Sequence, residues 1–221
     1  MARTSAARRL DGMAPLTTAR RPEFGGGEPP APPVRPNVPI GSNAWLATLM
    51  FIGAELMFFA GLIGAFIVFR WGSPIWPPPF QPRLPVGVTG VNTIILLGSA
   101  VTMHMGLRAI RSGANGSFKR MLALTALLGG VFLLIQGYEW ARLIHFGLTV
   151  SSSVYGGLFY TLIGFHAVHV AGALIWLAGV FVIAKRGGYS KQQHTGIQTC
   201  AMYWKFVVAL WPVLYGLVYL Y

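Results

Sequence analysis

Two carboxylates stand out in this sequence because each lies in a long apolar stretch. Glu55 falls within FIGAELMFFAGLIGAFIVF and Glu139 within FLLIQGYEWARLI, and they are the only acidic residues after residue 28. A charged side chain at the centre of a membrane helix costs about 2.5 to 3.5 kcal/mol, so each acid should face the protein interior, find a partner or stay protonated. Two interpretations follow: a proton-active group, or an acid whose hydrogen bonds fix helix packing.

Polar residues near these acids are candidate partners. Gln136 and Arg142 are each three residues from Glu139, on the same helical face. His166 and His169, in GFHAVHV, are also three residues apart. We predict a contact between Glu139 and His166 on neighbouring helices. The alternative is a local pair with Arg142, whose long stem can reach the membrane interface.

The same residues raise the question of a metal site. Glu139, His166 and His169 would supply the two histidines and one carboxylate that hold non-haem iron. Many helices carry such a histidine pair without metal, and the carboxylate-rich repeats of di-iron bundles are missing. Cys200 is the only cysteine, which excludes a multi-cysteine site. His104 has no evident facing histidine for haem, so we expect this chain to bind neither metal nor haem.

The elements that must position these residues are membrane helices. Hydrophobic residues make up 54% of the chain, charged residues 10%, and the mean hydropathy is +0.59, which indicates an integral membrane protein. Short alternating segments typical of a membrane β-barrel are absent from the sequence. The predicted fold is an all-α bundle of five transmembrane helices over residues 44–70, 91–111, 121–146, 155–184 and 199–221.

Residues 1–42 are rich in arginine, proline and glycine and are predicted to form a disordered or extended arm before a membrane domain over residues 43–221. The net charge of +12 comes from this arm and from segment ends, so we expect no nucleic-acid partner. Positive residues mark cytoplasmic loops. They cluster after the second and fourth spans, at Arg108, Arg111, Lys119, Arg120, Lys185, Arg186 and Lys191.

This charge pattern predicts a multi-pass protein with its N-terminus in the cytoplasm and its C-terminus outside, and we expect the membrane to be the inner (plasma) membrane of a bacterium. Aromatic and basic residues near the predicted membrane surfaces are candidates for lipid contact. Trp76 and Trp204 fit interfacial belts, and a lipid phosphate could pair with Arg70 or Arg83. Ordinary anchoring at the interface is the alternative.

Five segments occur in a recognisable order: AELMFFAGLIGAF, WPP followed by VNTIILLGSAVTM, LIQGYEW, VYGGLFYTLIGFHAVHV and YWKFVVALWPVLY. With them, the chain from about residue 42 resembles subunit III of the haem-copper terminal oxidases in its short five-helix form. The resemblance implies a non-catalytic subunit of an aerobic respiratory enzyme, with haem and copper held by partner subunits. It also implies packing against subunit I, bound structural phospholipid and support of proton uptake. A respiratory supercomplex is compatible with it.

The resemblance extends to individual residues. Glu139 and Glu55 match the family's intramembrane acids, and His166 and His169 match its paired histidines. The last span departs from the family's usual YWHFVDVVW, because Lys205 replaces the histidine and a valine replaces the aspartate. We predict that Lys205 pairs with Glu55, which would satisfy both charges.

Two other functions remain open at this point. A stand-alone proton-coupled transporter could use Glu139 and His166 as a relay, but the inverted repeats or broken helices of such proteins are not apparent. An accessory membrane subunit of a nitric oxide reductase would share the fold.

Overall fold

The computed structural model describes residues 40–79, 81–82, 84–190 and 194–220, with side chains from residue 43 onward. Five α-helices and a final π-helical turn make up this part of the chain: α1 (Ile40–Gly72), α2 (Val86–Ser112), α3 (Asn115–His145), α4 (Val154–Lys185), α5 (Thr195–Tyr215) and the π-turn (Gly216–Leu220). All five α-helices are long and apolar enough to cross a membrane. The all-α prediction with five membrane helices is confirmed.

Several helices extend beyond the predicted spans. α1 begins at Ile40, inside the range predicted as the arm, and the rest of that arm, residues 1–39, lies outside the described residues. α3 begins at Asn115 and therefore includes Lys119 and Arg120. Backbone hydrogen bonding continues past the apolar run because these long side chains can reach water from a helix end. Hydropathy therefore predicted the apolar part of α3 and missed its polar N-terminal end.

In its described residues, which exclude Phe80 and Arg83, the proline-rich connection between α1 and α2 is not helical, because proline has no amide hydrogen to donate. It contains a cis peptide bond between Trp76 and Pro77. The Trp76 ring packs edge-on against Phe66 of α1, at 5.6 Å, and Tyr155 of α4, at 5.2 Å. This indole therefore links the connection to two helices.

α5 is the central helix of the bundle. It packs against α1, α2 and α4, while α3 packs against α2 and α4. Three aromatic side chains of α5 donate hydrogen bonds to α2: Trp204 to the Ser99 hydroxyl, Trp211 to the Thr93 hydroxyl and Tyr215 to the Val86 carbonyl. An unsatisfied polar group inside the membrane costs several kcal/mol, so these bonds fix the register between the two helices.

The end of α5 changes its hydrogen-bonding pattern. Pro212 lies inside this helix and has no amide hydrogen to donate. The π-turn begins at Gly216, directly after the last residue of α5. This turn carries Tyr219, whose buried side chain faces α3 and takes part in the site described next.

Candidate functional site

Glu139 is neutralised by a residue of its own helix. Its side chain is 6% exposed, and Arg142 Nη1 lies 3.2 Å from Oε1 and 3.4 Å from Oε2. The Arg142 side chain is 49% exposed, so its stem covers the acid while part of the guanidinium stays accessible. The local alternative is therefore confirmed, and the predicted contact between Glu139 and His166 is wrong.

His166 is buried at a different level of the bundle. Its ring stacks on Trp211 of α5, with centroids 5.0 Å apart, and its nearest ring on α3 is Phe132, at 6.4 Å. Phe132 precedes Glu139 by seven residues, about 10 Å along a helix, which explains why the acid and the imidazole do not meet. Neither ring nitrogen has a hydrogen-bond partner among the described residues.

Gln136 also finds a partner other than Glu139. Its Nε2 donates to the Tyr219 hydroxyl at 3.0 Å, and both side chains are buried. The sequence analysis missed Tyr219, because a tyrosine near the end of a membrane span is usually an interfacial anchor. The signal that could have found it is that a buried tyrosine needs a hydrogen-bond partner for its hydroxyl. The bond joins the π-turn to the last third of α3.

Glu55 of α1 pairs with His169 of α4. Glu55 Oε2 lies 2.7 Å from His169 Nε2, at an angle outside that of a regular hydrogen bond. The other ring nitrogen, Nδ1, lies 2.6 Å from the Phe165 carbonyl oxygen. Because a carbonyl only accepts, Nδ1 must carry a hydrogen. Nε2 is then the ring nitrogen that faces the Glu55 carboxyl group.

Lys205 faces α2, and the predicted pair with Glu55 is wrong. Its Nζ lies 3.3 Å from His104 Nδ1, while Glu55 faces α4. Helix α1 does contact α5, but the two charged side chains leave their helices in different directions. The pair also supplies the partner for His104 that sequence reasoning did not find.

A cavity of about 370 Å³ lies at the end of the bundle where α1 ends and α2 begins. Arg70 and Trp76, both predicted as lipid-contact residues, line it together with Gln81, Tyr155 and Tyr219. Gln81 Oε1 is buried and has no hydrogen-bond partner among the described residues. Arg83, predicted to act with them, lies outside the described residues.

Trp204 was predicted as an interfacial residue in contact with lipid, but its side chain lies inside the bundle. It is 1% exposed and donates to Ser99 at 3.1 Å. Its six-membered ring lies against Gly129, where an added Cβ would come within 2.5 Å of Trp204 Cη2. This tryptophan therefore fills the space that a glycine on α3 leaves open.

Among the described residues, no group of three or more histidine, cysteine, aspartate or glutamate side chains is arranged to hold a metal ion. The two membrane acids lie in separate contacts, Glu55 beside His169 and Glu139 beside Arg142. What this arrangement offers chemically is one contact between an acid and an imidazole, one ion pair and a buried hydrogen bond between Gln136 and Tyr219.

Comparisons with known proteins agree with this architecture. The family model of cytochrome c oxidase subunit III matches residues 37–221. A protein of Synechocystis sp. named cytochrome c oxidase subunit 3 is 37% identical over 173 residues, which cover 78% of this chain and 73% of the relative. The Bacillus subtilis protein of the same name is 31% identical over 181 residues, 81% of this chain and 87% of the relative. A probable subunit 3 from Nocardia farcinica is 36% identical over 188 residues, with 84% and 89% covered.

Proposed function

This chain belongs to the cytochrome c oxidase subunit III family and is a subunit of a haem-copper oxidase, and we propose that it supports the catalytic subunit without carrying out oxygen chemistry. The match over residues 37–221, which include every helix of the bundle, carries this proposal. Haem and copper then belong to partner subunits, which reduce oxygen to water and pump protons. The chain sits in the bacterial plasma membrane, with its Arg108 to Arg120 end toward the cytoplasm.

Support of the catalytic subunit has a physical basis in the paired membrane charges. Both described acids have a partner within the chain. The bundle can therefore present a largely apolar surface to another membrane subunit without leaving a bare charge at the contact. Helix α1 is mostly exposed along its length, which suits it to such a contact.

Removal of this chain from the oxidase tests that role. Because the reacting groups lie on other subunits, a complex that lacks it should begin turnover at a rate close to that of the intact enzyme. It should then lose activity over successive turnovers, as the catalytic centre and its proton supply lose their support. Oxygen consumption followed over time measures both quantities. Complete absence of initial activity with normal haem content would contradict a purely supporting role.

We further propose that Glu55 and His169 hold a proton that assists proton uptake by the complex. The Phe165 carbonyl accepts from His169 Nδ1, which leaves Nε2 facing the carboxyl group, and a further proton held here would sit on one of these two groups. Both side chains are partly exposed, 15% for Glu55 and 17% for His169. They lie near the midpoints of α1 and α4, where a partner subunit could exchange that proton.

Replacing Glu55 with glutamine should slow proton uptake by the intact oxidase and leave its haem spectrum unchanged. The amide can contact Nε2 but cannot give up a proton under these conditions. Proton uptake by the purified complex, followed with a pH indicator dye, measures the effect. Glu139→Gln is the matched control, because that acid is paired with Arg142 and should leave the uptake rate unchanged. Equal rates of proton uptake in both variants and the wild type would contradict a proton-linked role for Glu55.

Lipid binding forms the last part of the proposed function. The cavity beside Arg70 and Trp76 combines a cation, an indole and the Gln81 amide at one end of the bundle. These groups match the phosphate, the upper acyl chain and the polar headgroup of a phospholipid. We assign a structural phospholipid to this cavity.

A further inference from the structure

Lys205 and His104 form a basic pair on the outer surface of the bundle, where α2 and α5 pack together. Lys205 Nζ lies 3.3 Å from His104 Nδ1. An ammonium group only donates, so Nδ1 accepts and the ring hydrogen of the neutral imidazole is on Nε2. The pair therefore presents two kinds of donor to a further group, the other N–H bonds of the ammonium and the Nε2–H of the imidazole.

Unlike the two membrane acids, this pair has no group of opposite charge in the described part of the chain. Arg108 lies four residues after His104 on the same helical face, and both Arg108 and Arg111 act electrostatically on the imidazole. The acids within the described ranges are Glu55 and Glu139, and each is in contact with another side chain. Positive charge therefore accumulates here without a carboxylate.

The pair lies inside the membrane, away from the headgroups. Lys205 is ten residues after the start of α5 and His104 is eight residues before the end of α2, about 15 Å and 12 Å along the helices. Both spans are about 40 Å long, so each extends about 5 Å beyond a hydrocarbon core of roughly 30 Å at either end. The pair is then about 7 to 10 Å inside that core. A cation at this depth is costly and in membrane proteins usually has a partner.

The depth of the pair indicates which kind of anion fits it. A lipid phosphate lies at the level of the headgroups, where it meets Arg111 at the end of α2 before it can reach Lys205. A carboxylate on a transmembrane helix can stand at any depth. Its two oxygens only accept, so they match both kinds of donor that the pair presents, and its charge balances the ammonium.

The surface next to the pair is apolar and suits a neighbouring helix. On α2, Val101 and Leu97 precede the histidine by three and seven residues, so they share its face, and they are 60% and 41% exposed. On α5, Ala209 and Val213 follow the lysine by four and eight residues and are also exposed. The two helices run in opposite directions, so both rows lead from the pair toward the same end of the bundle. The small alanine allows close approach of another helix.

We propose that Lys205 and His104 bind an aspartate or glutamate side chain on a transmembrane helix of another oxidase subunit, which packs along Val101 and Ala209. The carboxylate accepts from Lys205 Nζ and from His104 Nε2. The inference rests on the proposed function because it requires that the chain is part of an oxidase complex. The contact is particular to this chain, since Lys205 stands where the family usually has a histidine.

Photo-crosslinking in the intact oxidase identifies the group opposite the pair. The photoreactive amino acid benzoylphenylalanine replaces Val101 in one preparation and Ile175 of α4, 74% exposed, in a control preparation. Ile175 is ten residues before the end of its helix, at a depth similar to that of the pair. After irradiation, mass spectrometry locates the crosslinks. We expect the probe at position 101 to crosslink a membrane segment of another subunit with an aspartate or glutamate within two turns, and the control probe to miss that segment.

Other crosslinked products would overturn the proposal. A product with residues 1–39 would make the acids of this chain's own arm, Asp11, Glu23 and Glu28, the source of the carboxylate. A product with a second copy of this chain would show an interface between copies. A product with phospholipid alone, or with a membrane segment that contains no acid, would show that no carboxylate from a partner faces the pair.

Variants of the lysine test the ion pair itself. Lys205→Met should speed release of the chain from the complex in mild detergent about 30-fold, the lower end of the effect of truncating one member of a buried charge pair between proteins. Lys119→Met removes the same charge at the start of α3 and should leave the release rate close to that of the wild type. Replacing the crosslinked acid with its amide in the Lys205→Met background should recover most of the loss. Equal release rates in the two single variants would overturn the proposal.

Haem content of the same preparations reports on the proposed function separately. If the wild-type chain purifies without haem, the assignment to an oxidase complex fails. If it purifies with haem but the probe at position 101 reaches no acidic segment of another subunit, only the contact at Lys205 and His104 fails.

Discussion

Replacing Arg142 with methionine is expected to release a large share of this chain from the oxidase complex in mild detergent. The substitution leaves the Glu139 carboxylate, which is 6% exposed, without its counter-charge. The cost should approach about 3 kcal/mol, the scale for a charged side chain inside a membrane helix. The ratio of this chain to haem in the purified complex, before and after detergent incubation, measures the loss.

Two control variants separate the charge from the packing of the arginine stem. Glu139→Gln alone should be mild, because the half-exposed Arg142 can turn toward the membrane interface. Arg142→Met combined with Glu139→Gln should recover most of the stability lost in Arg142→Met, since no buried charge remains. Behaviour of Arg142→Met identical to the wild type would mean that Glu139 does not depend on this partner.

Replacing Gly129 with valine should destabilise the bundle about as much as Arg142→Met. A Cβ at this position would lie 2.5 Å from Trp204 Cη2, 2.9 Å from Cζ2 and 3.1 Å from Leu174 Cδ2. The indole cannot move aside without losing its hydrogen bond to Ser99. The cost should be about 3 kcal/mol, in the upper part of the range for overpacked interiors. Thermal unfolding of the purified complex, together with the yield of assembled enzyme, measures it.

Gly130 provides a neighbouring control on the same helix. A Cβ added there meets nothing within 4 Å. Gly130→Val introduces the same side chain into α3 and should leave assembly close to that of the wild type. Similar losses in the two variants would show that the effect comes from valine in this helix and not from contact with Trp204.

The features that depend on local sequence could be predicted, because they require no knowledge of the neighbouring helix. Five long apolar segments predicted five membrane helices, and the i, i+3 spacing offered the pair between Glu139 and Arg142 as an alternative. The proline-rich connection was expected to be non-helical for a reason internal to proline. The resemblance to the oxidase family also rested on motifs within single segments.

The contacts that depend on how helices are rotated and shifted could not be predicted. Glu139 and His166 lie on adjacent helices, but at different levels of the bundle. Lys205 and Glu55 also lie on helices that touch, yet their side chains face α2 and α4. Apolar composition all around a membrane helix gives little information about its rotation, since both lipid and protein interior accept the same side chains.

Trp204 illustrates the same difficulty for aromatic residues. Its position near a predicted span end favoured the interface, whereas the helix extends further and turns the indole toward Gly129. The indole N–H of Trp204 then donates a hydrogen bond to the Ser99 hydroxyl inside the bundle. Only the pairing of a large residue with a facing glycine on another helix explains the burial, and that pairing is a property of the folded chain.

Affinity purification of the chain from native membranes tests its assignment as an oxidase subunit most directly. The account predicts that haem and copper copurify with it at a fixed ratio, together with the catalytic subunit and oxygen-consuming activity. Absorbance spectra, metal content and a subunit analysis of one preparation provide these values. Isolation of the chain without haem-containing subunits, combined with proton movement when it alone is placed in liposomes, would contradict the account and favour a stand-alone transporter.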